Sequence, residues 1–263
     1  MTITFLGTGT SQGVPVIACN CEVCTSPDPR DKRLRSSVMV EAEGKVIVID
    51  SGPDFRYQML RAKVRHLDAI VFTHEHKDHI AGMDDIRAFN YRQESAIDVY
   101  ATTRVQEALK REFSYVFAEM KYPGIPEVNL KTIDLKPFSI GDIQFRPIEV
   151  MHYKLPVLGF RIGDFTYITD AKTISEAEKQ KIKGTKILVI NALQIEKHIS
   201  HFTFVEAIAF AKEIGAEKTY FTHISHRLGR HESILGLLPK NITLAYDGLV
   251  LEVFGEEWVY RAH

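Results

Sequence analysis

The sequence lacks several features that mark whole classes of protein. It contains no apolar run of about 18 residues, so no membrane span is expected. Its first residues have neither the basic start nor the long apolar stretch of a signal peptide. Only three cysteines occur, all between Cys19 and Cys24, which favours a reducing compartment over a disulfide framework. We therefore expect a cytoplasmic protein that does not engage a membrane.

An excess of charge of either sign is also missing. Lys and Arg together number 33 and Asp and Glu together number 34, so the net charge at pH 7 is -1. A general nucleic-acid binder usually carries a basic excess, so this balance argues against one without excluding a local basic patch. Hydrophobic residues make up 45% of the 263 residues, which is enough for a large core. Because no linker rich in Gly, Ser or Pro divides the chain, we expect one domain over residues 1–263.

Strand-like and helix-like segments alternate along the chain, which is typical of an α/β protein. Short β-branched or aromatic runs end at Ile49, Phe72, Val150, Thr169, Ile190 and Thr222. Helical patterns cover about residues 54–63, 103–117, 175–181 and 204–214. The last of them begins with Thr203 as N-cap and Glu206 three residues later, and it ends at Gly215. Residues 129–170 read as strand after strand with little helix, so a mixed sheet is expected.

Ionisable side chains crowd the segment that follows the strand ending at Phe72. His74, His76, Asp78 and His79 lie within six residues, and imidazole and carboxylate are the natural ligands of zinc-like divalent metals. In an extended segment residues i and i+2 face the same way, so His74 and His76 are expected to bind one ion. Asp78 and His79 then begin the next turn and face a neighbouring ion. The alternative is a polar loop that starts a helix, for which so dense a set of ligands would be unusual.

Three further candidates each follow the end of a predicted strand, namely His152, Asp170 and His223. Open α/β sheets gather their ligands at such strand ends. Taken alone, a histidine in this position is more often a hydrogen-bonded loop residue than a metal ligand. Together with the cluster at residues 74–79, these residues favour a site for two metal ions.

The segment Thr73–His79 resembles the signature of the metallo-β-lactamase-fold superfamily. In that family the signature is followed by a histidine, a bridging aspartate and a final histidine, which His152, Asp170 and His223 match in order. Asp50 resembles the family's strand-end aspartate, which supports the metal-binding loop. The resemblance covers essentially the whole chain, and it implies an α/β fold, the αββα sandwich of two mixed β-sheets flanked by helices.

The resemblance also implies which residues hold each ion. The first ion falls on His74, His76 and His152, the second falls on Asp78, His79 and His223, and Asp170 bridges the two. Both ions are expected to be divalent, either zinc or manganese, and Asp78 is also expected to act in catalysis by orienting the hydroxide between them. Oxygen- and nitric oxide-reducing members of the fold typically carry glutamate where this chain has His76, so His76 favours hydrolysis.

Three thiols lie on one short loop, at Cys19, Cys21 and Cys24. Tetrahedral zinc needs one more ligand, and His226, three residues after His223, is the candidate. Three reduced cysteines without a metal are the alternative. This loop follows a glycine-rich run at residues 7–13, and together with the segment Thr222–His226 it resembles the PhnP-type phosphoribosyl cyclic phosphodiesterases. We therefore expect a structural zinc that pins the N-terminal loop against the C-terminal loop.

His201 is a candidate of a different kind, because it lies just before the N-cap Thr203. The free N–H groups and the dipole at a helix start favour anions, so a histidine there can contact a phosphate or protonate a leaving oxygen. The alternative is a surface histidine near a helix cap, and His198 is a nearby competitor. In the phosphodiesterases that the chain resembles, a histidine at this place acts on the substrate phosphate.

Together these observations predict a binuclear metal-dependent hydrolase, a phosphodiesterase that cleaves a small cyclic or linear phosphodiester with a metal-bridging hydroxide. Three other functions are kept as alternatives: a nuclease like the transfer-RNA 3′-processing endonucleases, a thioester or lactone hydrolase, and a non-catalytic metal-binding scaffold. A processing nuclease would need an RNA-gripping arm and a basic surface, and a scaffold of this fold would have lost ligands. The resemblance also points to a homodimer.

Overall fold

The computed structural model describes residues 1–120, 122–254 and 257–261 of the chain. The strands of this part are β1 Thr2–Gly7, β2 Ser37–Ala42, β3 Lys45–Ile49, β4 Ala69–Val71, β5 Ile97–Ala101, β6 Val128–Thr132, β7 Phe138–Ile140, β8 Ile143–His152, β9 Leu155–Ile162, β10 Phe165–Tyr167, β11 Ile187–Asn191, β12 Lys218–Thr222, β13 Ile242–Leu244, β14 Val250–Phe254 and β15 Glu257–Arg261. The α-helices are α1 Phe55–Arg61, α2 Lys77–Ile80, α3 Arg87–Gln93, α4 Thr103–Glu112, α5 Glu176–Ile182, α6 Phe204–Ile214 and α7 His231–Leu235. No helix in these ranges combines the length and the apolar character that crossing a bilayer requires.

The strands form two mixed sheets. The first has the order β15-β14-β1-β2-β3-β4-β5-β6, and the second has the order β13-β12-β11-β10-β9-β8-β7. In the first sheet β3 to β6 are parallel and the pairs from β15 to β3 are antiparallel. In the second sheet β10 to β13 are parallel and the pairs from β7 to β10 are antiparallel. The expectation of mixed rather than all-parallel sheets is therefore confirmed.

Three apolar layers stack the sheets and helices. The inner layer joins residues of both sheets, with Phe5 of β1 packing in the same cluster as Phe160 of β9. Phe55 of α1 belongs to the layer outside the first sheet, and Phe210 of α6 belongs to the layer outside the second. Each such side chain contributes about 1.5–3 kcal/mol when it is fully buried. The αββα sandwich is thus confirmed, while a single domain over residues 1–263 stays a prediction.

Local signals place several helices well and miss others. Helix α6 has the expected capping box, and Gly215 ends it with a left-handed φ of 71°. The helix expected over residues 103–117 ends at Glu112, because Phe113 leaves the helical region and a 3-10 turn follows. Helix α3 was not expected at all. The sequence therefore predicts a helix well where strong capping residues mark its ends. It predicts the exact boundaries of helices less well.

One edge of the sandwich collects the strand ends that carry the candidate ligands. Strands β3 and β4 are parallel, and Ile47 of β3 and Val71 of β4 lie at opposite ends of the paired segment. Strands β11 and β12 end side by side. Asp50 and His223 directly follow a strand at this edge and Asp170 follows β10 by three residues, and all three have positive φ values, of 65°, 54° and 53°. Asp and His tolerate this left-handed region better than most residues, and strained backbone is often found at functional sites. The sharp turns aim these side chains inward.

Candidate metal centre and active site

The loop that follows β4 carries the densest set of candidate ligands. The ring centroid of His74 lies 4.6 Å from that of His76 and 4.2 Å from that of His79. The short helix α2 begins within this loop and holds Asp78 and His79. A side chain at Gly52 would place its Cβ only 2.1 Å from the carbonyl oxygen of Asp78. Glycine at this position therefore lets the loop pack directly against the turn after β3.

Asp50 lies beneath this loop and contacts two of its residues. Its carboxylate is fully buried and accepts hydrogen bonds from the Thr73 backbone N–H and hydroxyl, both at 2.8 Å. It also lies 2.7 Å from Nδ1 of His79. A carboxylate accepts only, so His79 donates from Nδ1 and turns Nε2 toward the cluster.

The hydrogen bonds of His74 fix its tautomer in the same sense. The Thr73 hydroxyl donates its single hydrogen to Asp50. It therefore accepts a hydrogen bond from Nδ1 of His74 at 2.9 Å. The Nε2 atom of His74 is therefore unprotonated, and among the described residues it has no hydrogen-bond partner although it is fully buried. Buried polar atoms are nearly always satisfied, so this lone pair fits a metal ion.

His223 is held in the matching tautomer by two hydroxyl groups. Ser36 donates to the Gly9 carbonyl and Thr169 donates to Asp170, so both accept from Nδ1 of His223, at 3.2 and 3.4 Å. Its Nε2 lies 3.1 Å from Oδ1 of Asp170. The Nε2 lone pair of His223 thus faces the ligand cluster, where the Thr10 hydroxyl also lies 3.2 Å from it.

Asp170 lies in the middle of the ligand cluster. Its Oδ1 is close to His223, and its Oδ2 lies 3.1 Å from Nε2 of His79. The donor atoms of three groups of residues lie within 4.8 Å of one another, namely Asp78 with His79 and His223, His74 with His79 and Asp170, and His152 with Asp170 and His201. Asp170 therefore lies near candidate ligands of both ions, and its bridging role stays a prediction.

The ligands predicted for the first ion are neighbours, but they are less tightly gathered. The ring of His152 lies 6.1 Å from that of His74 and 5.2 Å from that of His76. Nδ1 of His152 donates to the carbonyl oxygen of Ser200 at 2.8 Å, which leaves its Nε2 free for a ligand. His76 is exposed and joins none of the three tight groups among the described residues. His201 takes its place beside His152.

His201 lies against the cluster rather than on the open surface. It is 8% exposed, and its Nε2 lies 2.8 Å from Oδ1 of Asp170. Its ring stacks on that of His223, with centroids 4.9 Å apart. Nδ1 of His198 lies 3.2 Å from Nδ1 of His201, so the competing histidine is next to His201 and further from Asp170.

The electrostatics of the cluster suit a cation. Burial lowers the pKa of His74 well below its ordinary value and that of His223 to about 4, so both rings are neutral at pH 7. Burial alone would raise the pKa of Asp170, but the histidines around it hold the pKa well below the usual range. His79 behaves in the opposite way: burial opposes its charge, yet Asp78 and Asp170 hold its pKa well above the ordinary value. A divalent cation would satisfy these carboxylates in place of that proton.

The cysteine loop and His226 form a second cluster. Nδ1 of His226 lies 3.3, 3.4 and 3.5 Å from the sulfur atoms of Cys19, Cys21 and Cys24. Zinc with bonds of about 2.3 Å to sulfur and about 2.0 Å to nitrogen would set sulfur and nitrogen about 3.5 Å apart in a tetrahedron. The Cys24 backbone N–H, which points at the Cys21 sulfur, is the main cause that lowers the pKa of Cys21 to about 6. The four donors therefore fit a tetrahedral metal ion.

Sequence reasoning missed the residues that orient the ligands. Ser36, Thr10 and Ser200 contact His223 or His152, yet they lie far from these histidines in the sequence. Thr73 and Thr169 are different, because each directly precedes a candidate ligand at a strand end. This adjacency in the sequence is the only signal that could have predicted which residues orient the ligands.

Comparisons with known proteins identify the family of the chain. The family model for the β-lactamase superfamily domain matches residues 45–224. A crystal structure described as a new diphosphatase from the PhnP family is 40% identical, covers 96% of this chain and 98% of its own, and superposes with a TM-score of 0.90. Human tRNase Z, short form, is 20% identical over 96% of this chain and 99% of its own, with a TM-score of 0.70, and shows the fold alone.

A longer relative carries a different name. The octanoyltransferase of Porphyromonas gingivalis is 41% identical over 254 residues, which are 95% of this chain and 51% of that protein. The chain therefore spans about half the length of this curated relative. The name octanoyltransferase therefore belongs to a protein about twice as long as the part that matches this chain.

Proposed function

This chain belongs to the β-lactamase superfamily and, within it, to the PhnP family of metallo-β-lactamase-fold hydrolases, and from that premise we propose that it hydrolyses a small phosphodiester with two divalent metal ions. The proposed ligands are His74, His76, His152, Asp78, His79 and His223, with Asp170 as the bridge. The observation that carries the proposal is the position of Asp170, which lies against His79 and His223 of the second ion and is grouped with His74 and with His152 of the first. Zinc and manganese both suit these ligands.

The chain's own residues divide the work of the reaction. When bound, two such ions would lower the pKa of a water molecule toward neutrality and neutralise charge on the phosphoryl oxygens. Asp50 holds the loop and sets the orientation of His79. Asp78 would provide negative charge at the second ion and orient the hydroxide. His201 would hold a proton at Nε2 and donate it to the departing oxygen.

We further propose that Cys19, Cys21, Cys24 and His226 hold a structural zinc. This ion would tie the loop before β2 to the loop after β12. Cysteines that bind zinc rather than form disulfides are typical of a reducing compartment, so we propose a cytoplasmic location. The homodimer stays a prediction.

Two relatives extend the list of substrates to test. The PhnP-family neighbour is described as a diphosphatase, and a diphosphate, like a diester, is cleaved at a bond between phosphorus and a bridging oxygen. The name of the Porphyromonas gingivalis relative favours an acyl thioester as a second class, because a metal pair can also polarise a carbonyl group. A screen of linear and cyclic diesters, diphosphates, octanoyl thioesters and precursor transfer RNA separates these functions. Fastest turnover of a thioester would replace the diesterase proposal.

The substitution His201→Ala is expected to lower turnover of bis(p-nitrophenyl) phosphate by about 10²–10⁴-fold, since the variant loses an acid–base group. Steady-state kinetics of the metal-loaded protein measure this loss. His66→Ala serves as the matched control, because His66 is exposed and contacts Asp68, outside the cluster. A rate for His201→Ala close to that of the control would remove His201 from the reaction.

A further inference from the structure

Thr10 lies in the glycine-rich run after β1 and beside the candidate metal centre. Its hydroxyl oxygen is 3.2 Å from Nε2 of His223, although the two residues are 213 positions apart in the sequence. Thr10 is 8% exposed, whereas Ser11 and Gln12, which follow it, are exposed. The hydroxyl group therefore lies between the buried ring of His223 and the protein surface.

The direction of this hydrogen bond follows from the tautomer of His223. Nδ1 donates to Ser36 and Thr169, so Nε2 carries no proton and can only accept. Thr10 therefore donates its single hydrogen to Nε2. Among the described residues, this hydroxyl group has no other hydrogen-bond partner.

The Nε2 atom of His223 has one lone pair and two candidate partners. It can accept the hydrogen of Thr10 or it can bind a metal ion, but it cannot do both. If His223 is a ligand of the second ion, as proposed above, metal binding takes away the one acceptor of the Thr10 hydroxyl. A nearly buried hydroxyl group without an acceptor is unfavourable, so this one requires a new partner.

The backbone of Thr10 keeps its hydroxyl group beside His223. Its N–H donates to the carbonyl oxygen of Ile224, the residue after His223, at 3.1 Å. Its own carbonyl oxygen accepts from the N–H of Gly13 at 2.8 Å, which closes a turn. The hydroxyl hydrogen can thus rotate to a new acceptor while its oxygen stays next to the second ion.

A phosphoryl oxygen fits as the new acceptor. Ligands of one tetrahedral zinc ion lie about 3–3.5 Å apart, so an oxygen that shares an ion with His223 would come within reach of Thr10. A charged oxygen also accepts a stronger hydrogen bond than a neutral group does. We infer that Thr10 is a catalytic residue that donates a hydrogen bond to a phosphoryl oxygen of the substrate, where negative charge grows during the reaction. This inference rests on the proposed function, because the substrate phosphate would share an ion with His223.

The test is binding of inorganic phosphate to the metal-loaded protein, measured by isothermal titration calorimetry. Thr10→Val replaces the hydroxyl with a methyl group, and it is expected to bind phosphate about 10- to 100-fold more weakly than the wild type, the range for a hydrogen bond to a charged group. Thr10→Ser keeps a hydroxyl and should stay within a few-fold of the wild type. Thr103→Val is the matched control, because Thr103 is exposed at the start of α4, and it should bind phosphate as the wild type does.

A second measurement separates contact with the substrate from support of the metal ligand. Competition with a chelator gives the affinity of each variant for manganese. Thr10→Val should bind manganese at least as tightly as the wild type, because Nε2 of His223 no longer gives up a hydrogen bond when it binds the ion. Weaker metal binding would show that Thr10 acts by orienting His223, and it would overturn the inference.

Unchanged phosphate affinity in Thr10→Val overturns the inference as well. If valine prevents folding, which thermal unfolding detects, Thr10→Ala makes the same comparison. Turnover of bis(p-nitrophenyl) phosphate by the wild type reports on the diesterase separately. No turnover would contradict the proposed function, whereas phosphate binding that depends on the hydroxyl group would still support the contact of Thr10. Normal turnover with unchanged phosphate affinity would remove only Thr10 from the site.

Discussion

Replacing Asp170 with asparagine is expected to lower phosphodiester turnover by at least about 10³-fold. Asp170 is 2% exposed, and its oxygens face His79, His201 and His223. Metal ions contribute several kcal/mol of charge stabilisation in the transition state, and each 1.36 kcal/mol is a factor of ten in rate. The variant should also release metal, because asparagine carries no charge to share between two ions.

Asparagine is chosen because the backbone at Asp170 has a φ of 53°, which asparagine tolerates and alanine does not. The loss of activity can then be separated from a loss of fold by thermal unfolding. Asp142→Asn is the matched control, since Asp142 is exposed at the other end of β8. Turnover of Asp170→Asn within a few-fold of the control would show that Asp170 does not bridge the metal ions.

The second large effect is expected from His226→Asn, which removes one donor from the cysteine cluster. Structural zinc contributes on the order of 10 kcal/mol to small metal-dependent folds. Losing a part of this contribution should lower the unfolding temperature by about 10 °C, given the usual change of 2–4 °C for each kcal/mol in a protein of this size. Metal analysis should also show one equivalent fewer. Asparagine cannot replace the imidazole nitrogen as a ligand.

His66→Asn is the control for this experiment, because it changes the same residue type at an exposed position. His66 interacts with Asp68 and lies outside both clusters. Its unfolding temperature and metal content should match those of the wild type. If His226→Asn also keeps its metal and its unfolding temperature, the cysteines are a reduced cluster without zinc.

Much of the fold was predictable because local and global signals agree. The runs that end at Ile49 and Thr222 are strands with those ends, and the capping box at Thr203 starts α6. The short helix α3 carries no such signal, since no side-chain cap marks its start and it ends at a left-handed Glu94. Sheet order was also out of reach, because it depends on pairings between distant segments such as β1 and β14.

For the candidate site, the sequence predicts which residues are ligands but not how their side chains are arranged relative to one another. The spacing of His74 and His79 predicts ligands, and the contact of His74 with Thr73 and of His79 with Asp50 fixes which nitrogen of each ring is free. That contact needs the turn after β3 to meet the loop after β4, which only the folded sheet provides. His201 was placed near a helix start from sequence, whereas its 2.8 Å approach to Asp170 comes from tertiary packing.

The central claim is that hydrolysis depends on two metal ions held apart from a third, structural ion. Metal content and diesterase activity should therefore be measured on the same samples before and after mild chelation. Purified protein should carry more than two equivalents of divalent metal, and one equivalent should resist the chelator. Activity should disappear with the weaker ions and return with added manganese or zinc. At most one tightly bound ion in the purified protein, or full activity after the weaker ions are gone, would contradict the claim.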